Sequence, residues 1–253
     1  MAGLVVDRAA WASRWRERSV GDKALLCLGL LAVAVVAPGW VVPLVVLVAC
    51  CGLALGPAGV RASLWFGVLA APAAFLLTAA ASVAVVLGGD AGFVSVTGDS
   101  LARAGTVLVR GAAGTAAVLL LACTTPMVDV IAGLQKLRVP EPLLDIAALT
   151  YRLLFVLADV AVTVRRAQAD RLGHDGFRRS LRSTALLASA LFVRSWDRAT
   201  RLTDGLAGRG FEGSLRTLPR PRRHSKRFVL LTLAGLTALI ALAVALGLTG
   251  GVR

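Results

Sequence analysis

The sequence predicts an all-α, polytopic membrane protein with about five transmembrane helices and two long helices on the cytoplasmic side. Of its 253 residues, 57% are apolar and 17% are charged, and the mean hydropathy is +0.79, which is high for a soluble domain. Several runs are apolar over a length that can cross about 30 Å of hydrocarbon. Most of the excess positive charge lies in one block, residues 124–227, between the last two of these runs.

Five apolar runs predict the membrane spans. The first long run is broken at Pro38 and Gly39, so it predicts two spans joined by a tight turn. Pro72 lies inside the third run and predicts a kink that neighbouring helices tolerate. Arg103 and Arg110 in the fourth run are expected near its start, at the headgroups, or paired inside the bundle. The predicted spans are residues 24–37, 40–56, 62–89, 102–123 and 228–248.

The distribution of Lys and Arg in short loops predicts the orientation. The N-terminal segment carries five basic residues before the first span, and the loop after the second span carries Arg61. The loop at residues 88–100 carries Asp90 and Asp99 but no basic residue. We therefore expect a multi-pass membrane protein with its N-terminus in the cytoplasm and Arg253 outside.

Three regions follow from this pattern. They are an N-terminal transmembrane region of residues 1–123, a cytoplasmic region of residues 124–227 and a C-terminal span within residues 228–253. The cytoplasmic region holds 19 Lys and Arg against 9 Asp and Glu. Its last part, residues 215–227, is rich in Arg and is expected to meet anionic headgroups, at about 1 kcal/mol per charge.

The cytoplasmic region contains a first long helical pattern, in which apolar residues recur at alternating steps of four and three. A charged stripe of alternating sign runs along a neighbouring face at every seventh residue. Residues seven apart are about 10 Å apart along a helix and cannot pair directly, so the stripe is expected to be matched by a crossing helix. The apolar face consists of Leu144, Ala148, Tyr151, Phe155, Ala158 and Val162, and the stripe consists of Asp145, Arg152, Asp159 and Arg166.

A second helical pattern, residues 183–209, begins apolar and becomes polar. Its charges recur at steps of three and four, a spacing that favours local ion pairs. Each of the two predicted helices ends at an arginine with a glycine close behind, around Arg171 and Arg209. Ordinary C-terminal capping, at about 0.3–1 kcal/mol, is one interpretation, and a docking surface is the other. The charges of the second pattern are Arg194, Asp197, Arg198, Arg201 and Asp204.

Several classes of function are disfavoured by the composition. The four cysteines lie in apolar runs and are expected to behave as small hydrophobes, and His174 and His224 have no helical partners, so no metal site and no cofactor are expected. The basic residues are confined to blocks rather than spread over a soluble surface, which argues against nucleic-acid binding. The sequence also has no phosphate-binding loop, so any ATP is expected to be hydrolysed by another chain.

The cytoplasmic region resembles a known family. TTPMVDVIAGLQKLRVPEPLLDIAALTYRLLFVLADVAVTVRRAQADRLG, followed by LFVRSWDRATRLTDGLAGRGFEG, is similar to the core of the transmembrane T component of energy-coupling factor (ECF) transporters. This is the CbiQ/EcfT family, and the likeness is greatest to the cobalt-type CbiQ. It covers residues 124–213 in detail and the flanking spans by pattern.

The resemblance implies a scaffold, not an enzyme. In this family, two Ala-Arg-Gly signatures end the coupling helices, which bind two cytoplasmic ABC ATPase subunits, and apolar surfaces bind a substrate-binding membrane subunit. The resemblance implies import of cobalt(II) across the bacterial cell membrane, with nickel or a vitamin such as biotin as the alternative cargo. The implied ATPase-coupling residues are Ala169, Arg171, Gly173, Gly208, Arg209 and Gly210. The implied supporting residues are Tyr151, Arg152, Asp159, Arg166, Arg194, Asp197 and Arg201.

Two other hypotheses compete with the transporter scaffold. Residues 204–209 resemble the opening of the membrane CDP-alcohol phosphotransferase motif, Asp-Gly-x-x-Ala-Arg. However, no aspartate follows Asp204, and such an enzyme needs further carboxylates to hold its metal ions. A stand-alone transporter is the second alternative, for which Arg103 and Arg110 are the only intramembrane charges of interest.

Overall fold

The computed structural model describes residues 2–89, 92–95, 97–137, 139–210 and 225–250. The regular structure of these residues is helical apart from one short pair of strands, so the predicted all-α, polytopic fold class is confirmed. It divides into two compact units, here called unit 1 (Met1–Val130 with Arg220–Arg253) and unit 2 (Ile131–Pro219). The elements are α1 (Ala2–Ala12), α2 (Val20–Val36), α3 (Val41–Leu55), α4 (Ala62–Ala70), α5 (Ala73–Ala84), β1 (Val86–Gly89), β2 (Gly92–Ser95), α6 (Gly98–Thr124), α7 (Met127–Gln135), α8 (Glu141–Asp170), α9 (Phe177–Ala207) and α10 (Lys226–Gly250).

Unit 1 is built around α6, which packs against α2, α3 and α5. The buried face of α6 is made largely of small residues, so neighbouring backbones can approach it closely. Gly111 and Gly114 belong to the same helix, and a Cβ at Gly111 would meet the Leu76 side chain. The fully buried residues of α6 are Ala113, Ala116, Ala117, Leu120, Cys123 and Thr124.

The predicted spans correspond to observed helices, with one difference in the third. The Pro38-Gly39 turn separates α2 from α3, and Gly39 has a positive φ of 69° that suits glycine. At Pro72 the third run breaks into α4 and α5, which bend by 43°. Helix α5 then ends at Ala84, whereas the prediction extended to residue 89. Valines followed by Gly88 and Gly89 are poor helix formers, and this stretch forms β1, which pairs antiparallel with β2.

Helices α6, α8 and α10 are each long and apolar enough to cross a membrane, as is the bent α4–α5 pair taken together. The sequence analysis placed α8 in the cytoplasmic region. The helix nevertheless has the length and the apolar composition of a membrane span. The side of the membrane on which α8 lies stays a prediction. Most of the basic connector at residues 215–227, with Arg220, Arg222 and Arg223, and the C-terminal Arg253 fall outside the described residues.

Two cations fix α2 against α6 at opposite ends. The Lys23 ammonium, which is fully buried, donates to the Thr124 carbonyl at 2.9 Å, and Arg110 Nη2 donates to the Ala37 carbonyl at 2.8 Å. Each cation thus lies at the C-terminal end of the other helix, where the helix dipole favours positive charge. The prediction that Arg110 is paired within the bundle is confirmed, whereas Arg103 is exposed.

The N-terminal segment packs at the same end of unit 1 as the loop between α3 and α4. Ser13 Oγ and the Arg14 amide both donate to the Ala58 carbonyl, at 3.0 and 3.2 Å. The Ser225 amide, just before α10, donates to the Asp22 carboxylate at 3.4 Å. The N-terminus, the α3–α4 loop and the start of α10 are therefore gathered at one end, as the basic residues of these segments suggest.

Candidate functional site

The first arginine end, where α8 stops, is a hydrogen-bonded C-terminal turn. Arg171 is the cap residue, the Leu172 amide donates to the Ala169 carbonyl at 2.9 Å, and the Gly173 amide donates to the Gln168 carbonyl at 2.8 Å. This pair of bonds is the Schellman arrangement, which requires one left-handed residue just after the cap. That residue is Leu172, with φ 55°, where a glycine is usual.

Gly173 follows the left-handed position and serves a different purpose from a helix stop. A Cβ at Gly173 would lie 2.8 Å from both the Gln168 carbonyl oxygen and Ser183 Oγ. The Ser183 hydroxyl donates to the Gly173 carbonyl at 2.7 Å, and Gln168 Nε2 donates to the Ser183 carbonyl at 2.9 Å. The turn is thus fastened to the second turn of α9, and this close approach leaves no room for a side chain.

At the second arginine end, where α9 stops, glycines end the helix as predicted. Gly208 caps the helix, the Arg209 amide donates to the Leu206 carbonyl at 3.0 Å, and the Gly210 amide donates to the Ala207 carbonyl at 3.1 Å. Gly210 has φ 68°, a conformation that favours glycine. The chain therefore leaves the helix directly after Arg209.

Both arginines are exposed and lie at opposite ends of α9. Arg171 belongs to the turn that precedes α9, and Arg209 follows its last residue. The 31 residues of α9, at 1.5 Å per residue, separate the two ends by about 45 Å. Ala169, Gly208 and Gly210 are exposed beside them.

Three residues of the charged stripe of α8 form no ion pair with α9, contrary to the prediction. Arg152, Asp159 and Arg166 are exposed, and none of them forms an ion pair with another described residue. Because no charge on α9 pairs with these three residues, the prediction of a matching crossing helix is wrong for them. Tyr151 is half-buried and packs edge-on against Phe155, with ring centroids 5.0 Å apart.

The local ion pairs predicted along α9 are also absent from the described part of the chain. Arg201 Nε instead donates to the main-chain carbonyl of Asp197 at 3.2 Å, and Arg194 and Arg198 pair with no described carboxylate. The arginines line a groove with the aliphatic face of α8. This α8–α9 groove, with a cavity volume of about 520 Å³, is lined by Val156, Leu157, Val160, Arg194, Arg198 and Arg201.

Sequence reasoning missed Leu172, Ser183 and Gln168 as determinants of the first arginine end. The position of Leu172 between an arginine and a glycine was the available signal, because a helix that stops there needs a left-handed residue. No local pattern marks Ser183, since its role depends on which part of α9 approaches the turn. The spacing of Arg194, Arg198 and Arg201 at steps of four and three indicated their common face.

Unit 2 is unusual in how little of it is buried. Over the most apolar 18 residues of α8, no residue is buried. Phe177, Phe192 and Trp196 of α9 are 83%, 68% and 67% exposed. No group of three or more His, Cys, Asp or Glu that could hold a metal ion occurs among the residues that the structure describes. The fold and these surfaces define a polytopic membrane protein with a pair of long, exposed helices that end in arginines.

Comparison with known proteins identifies the family within this class. The family model described as CbiQ, cobalt transport protein, matches residues 12–220. A cobalt transport protein CbiQ of Rhodobacter capsulatus is 41% identical over 215 residues, which cover 84% of this chain and 86% of that protein. A cobalt transport protein CbiQ of Salmonella typhimurium is 29% identical over 226 residues, covering 84% and 98%. The chain belongs to the CbiQ family of cobalt transport proteins.

One further relative is a fusion. A protein of Methanocorpusculum labreanum, described as a fused cobalt transport protein CbiMQ, is 30% identical over 230 residues. The match covers 87% of this chain but 38% of that protein. The CbiQ-like part therefore makes up less than half of the fused polypeptide.

Proposed function

We propose that this chain is the transmembrane scaffold, or T component, of an energy-coupling factor uptake transporter that imports cobalt(II). Two partner ATPases in the cytoplasm hydrolyse ATP, and α8 and α9 pass their motion to a substrate-binding membrane subunit. The observation that carries the proposal is the pair of exposed arginine ends, Arg171 and Arg209, one at each end of α9.

Arginine suits the contact with an ATPase for a chemical reason. Its planar guanidinium can hold a carboxylate with two parallel hydrogen bonds and keeps its charge when it is desolvated. Removal of one partner leaves the opposing carboxylate unpaired, which typically costs about 2–5 kcal/mol. Arg→Lys keeps the charge and loses the fork, so a partial defect is expected.

The separation of the two arginines supports two ATPase subunits. With about 45 Å between them along α9, each end can meet a different subunit. Hydrolysis by separate chains also fits the lack of a phosphate-binding loop in this sequence.

The exposed apolar residues of α8 and α9 support contact with a membrane subunit. Surfaces of this kind usually mark interaction sites. The fused relative CbiMQ supports a second transport component that works beside a CbiQ-like chain. The relatives' names support cobalt as the cargo, and the basic N-terminal segment supports a cytoplasmic N-terminus.

Co-expression with candidate ATPases and candidate membrane subunits tests the proposal. We expect the subunits to co-purify with this chain in detergent. In proteoliposomes, the complex should take up radioactive cobalt(II) only when ATP is present on the side of the membrane where the ATPases lie. Nickel and biotin, added as competitors, distinguish the alternative cargoes. Uptake by this chain alone would instead support a stand-alone transporter.

The arginine ends have their own test within the same assay. We expect Arg171→Ala/Arg209→Ala to abolish uptake at normal membrane levels, and the corresponding double Lys variant to retain part of it. Arg178→Ala/Arg182→Ala removes equal charge from the first turns of α9 and serves as the control. Full uptake by the double Ala variant would remove both arginines from the mechanism.

A further inference from the structure

The α8–α9 groove has one chemistry on each wall. Val156, Leu157 and Val160 form the wall on α8, and Arg194, Arg198 and Arg201 form the wall on α9. The arginines are spaced at i, i+4 and i+7, so they share one face and extend over about 10 Å. An occupant that fits both walls has an anionic part with several acceptor oxygens beside an apolar part.

The arginine wall carries three positive charges, none of which forms an ion pair with a described carboxylate. Among the described residues, these three side chains make one hydrogen bond. Arg201 donates it to the main-chain carbonyl of Asp197. Three like charges in a row repel one another, and an anion bound between them removes that repulsion. The basic segment at residues 215–227 has the same sign and is not a suitable occupant.

The surroundings of the groove favour a lipid over a peptide. The apolar surface of α8 continues beyond the groove and has the length and composition of a membrane-spanning helix, with no residue of its most apolar stretch buried. In the sequence, unit 2 lies between α6 and α10, so the chain connects each end of the unit to a helix that can span the membrane. A phospholipid supplies hydrocarbon to such a surface and phosphate to the arginines, whose forks suit phosphate.

We propose that the α8–α9 groove binds one anionic phospholipid. Its phosphate lies on Arg194, Arg198 and Arg201, and the upper part of one acyl chain lies along Val156, Leu157 and Val160. The site goes beyond the proposed role in transport, because a lipid is retained by the chain itself and requires no ATPase.

Native mass spectrometry of the purified full chain tests the site. The probes are phosphatidylglycerol and phosphatidylcholine with identical acyl chains, offered together in mixed micelles. We expect the wild-type chain to retain one phosphatidylglycerol in preference to phosphatidylcholine. Arg194→Gln/Arg198→Gln/Arg201→Gln should weaken that retention on the order of 100-fold, about fivefold per arginine.

Two further variants separate a built site from general attraction to negative charge. Arg178→Gln/Arg179→Gln/Arg182→Gln removes the same charge from α9 outside the groove and should retain phosphatidylglycerol as the wild type does. Val160→Trp fills the aliphatic wall without changing charge and should lose it. Circular dichroism shows whether each variant keeps its helix content.

Three results of the lipid assay by itself would overturn the proposal. They are equal retention of the two lipids by the wild type, equal losses in the two arginine triple variants, or normal retention in Val160→Trp. If the groove variant keeps the lipid but loses a co-expressed ATPase or membrane subunit, the groove is a protein-docking site and the lipid assignment is wrong. Because lipid retention is measured without ATPases, its failure is distinguishable from failure of the proposed transport role.

Discussion

Leu172 is the one described residue other than glycine that adopts a positive φ, and it lies directly beside Arg171. A left-handed conformation costs an L-residue with a Cβ about 1–2 kcal/mol, so another contact must favour the leucine. Its side chain is 68% exposed and gains little from packing in this structure. We infer that the leucine adds apolar contact area to the proposed ATPase contact at Arg171, and that unit 2 is less stable in consequence.

Leu172→Gly is therefore expected to stabilise the isolated chain by about 1 kcal/mol, because glycine adopts φ 55° without strain. A thermal-shift assay in detergent measures the change. Leu186→Gly is the matched control, since Leu186 is an exposed leucine inside α9, where glycine costs about 1 kcal/mol. A lower melting temperature for Leu172→Gly than for the wild type would contradict the assignment of strain.

Gly173→Ala is expected to destabilise the chain by about 1–3 kcal/mol, because its Cβ would meet the Gln168 carbonyl oxygen and Ser183 Oγ at 2.8 Å. The same thermal-shift assay measures the loss. Gly205→Ala is the control, because a Cβ at Gly205 meets nothing within 4 Å and alanine favours the helix by about 1 kcal/mol. Unchanged stability in Gly173→Ala would mean that the turn can move away from α9.

At the scale of secondary-structure elements, α2 is held to α6 by bonds at its two ends. Ala37, the cap residue of α2, lies fourteen positions after Lys23, and Thr124 lies fourteen positions after Arg110 in α6, so both intervals span about 21 Å. Two antiparallel helices with cations at these positions align along their lengths in only one register. The bonds therefore fix the position of α2 along α6 as well as its distance from it.

Lys23→Met and Arg110→Met are each expected to lower stability by about 1.5–3 kcal/mol, the usual contribution of a hydrogen bond to a charged group. Unfolding of the detergent-solubilised chain by a denaturing detergent, followed by circular dichroism, measures it. Arg103→Met removes a cation from the exposed side of the same helix and should change stability little. Equal losses in all three variants would show that the carbonyl contacts at Thr124 and Ala37 are not responsible.

At the scale of the whole molecule, the long α9 places the two arginine ends too far apart for a single contact. Arg171→Ala and Arg209→Ala are each expected to leave one ATPase bound, so the stoichiometry falls from two ATPases to one. The double Ala variant should bind none. Native mass spectrometry of the co-expressed complex counts the subunits. Loss of both ATPases in either single variant would show that the two ends act as one site.

The sequence by itself determined which segments are helical and apolar and where the arginine ends lie. Hydropathy and the spacing of apolar residues are local properties, so they indicated α2, α3, α6, α8 and α10 to within a few residues. Helix α9 was also indicated, but it begins at Phe177, earlier than the predicted start at residue 183. Pro72 likewise marked the break between α4 and α5 because proline acts on its own turn. The ion pairs that we expected between α8 and α9, and along α9 itself, do not form among the described residues. Spacing along one helix does not say which face its neighbour covers.

Only the tertiary structure decided the contacts between distant residues. Lys23 and Thr124 are 101 residues apart, and Arg110 and Ala37 are 73 apart, so no local pattern links them. The approach of Ser183 to Gly173, and of three arginines to the aliphatic face of α8, likewise depends on how α9 lies against α8. The physical reason is that a helix can present any face to a neighbour, and packing of whole elements selects the one that it does.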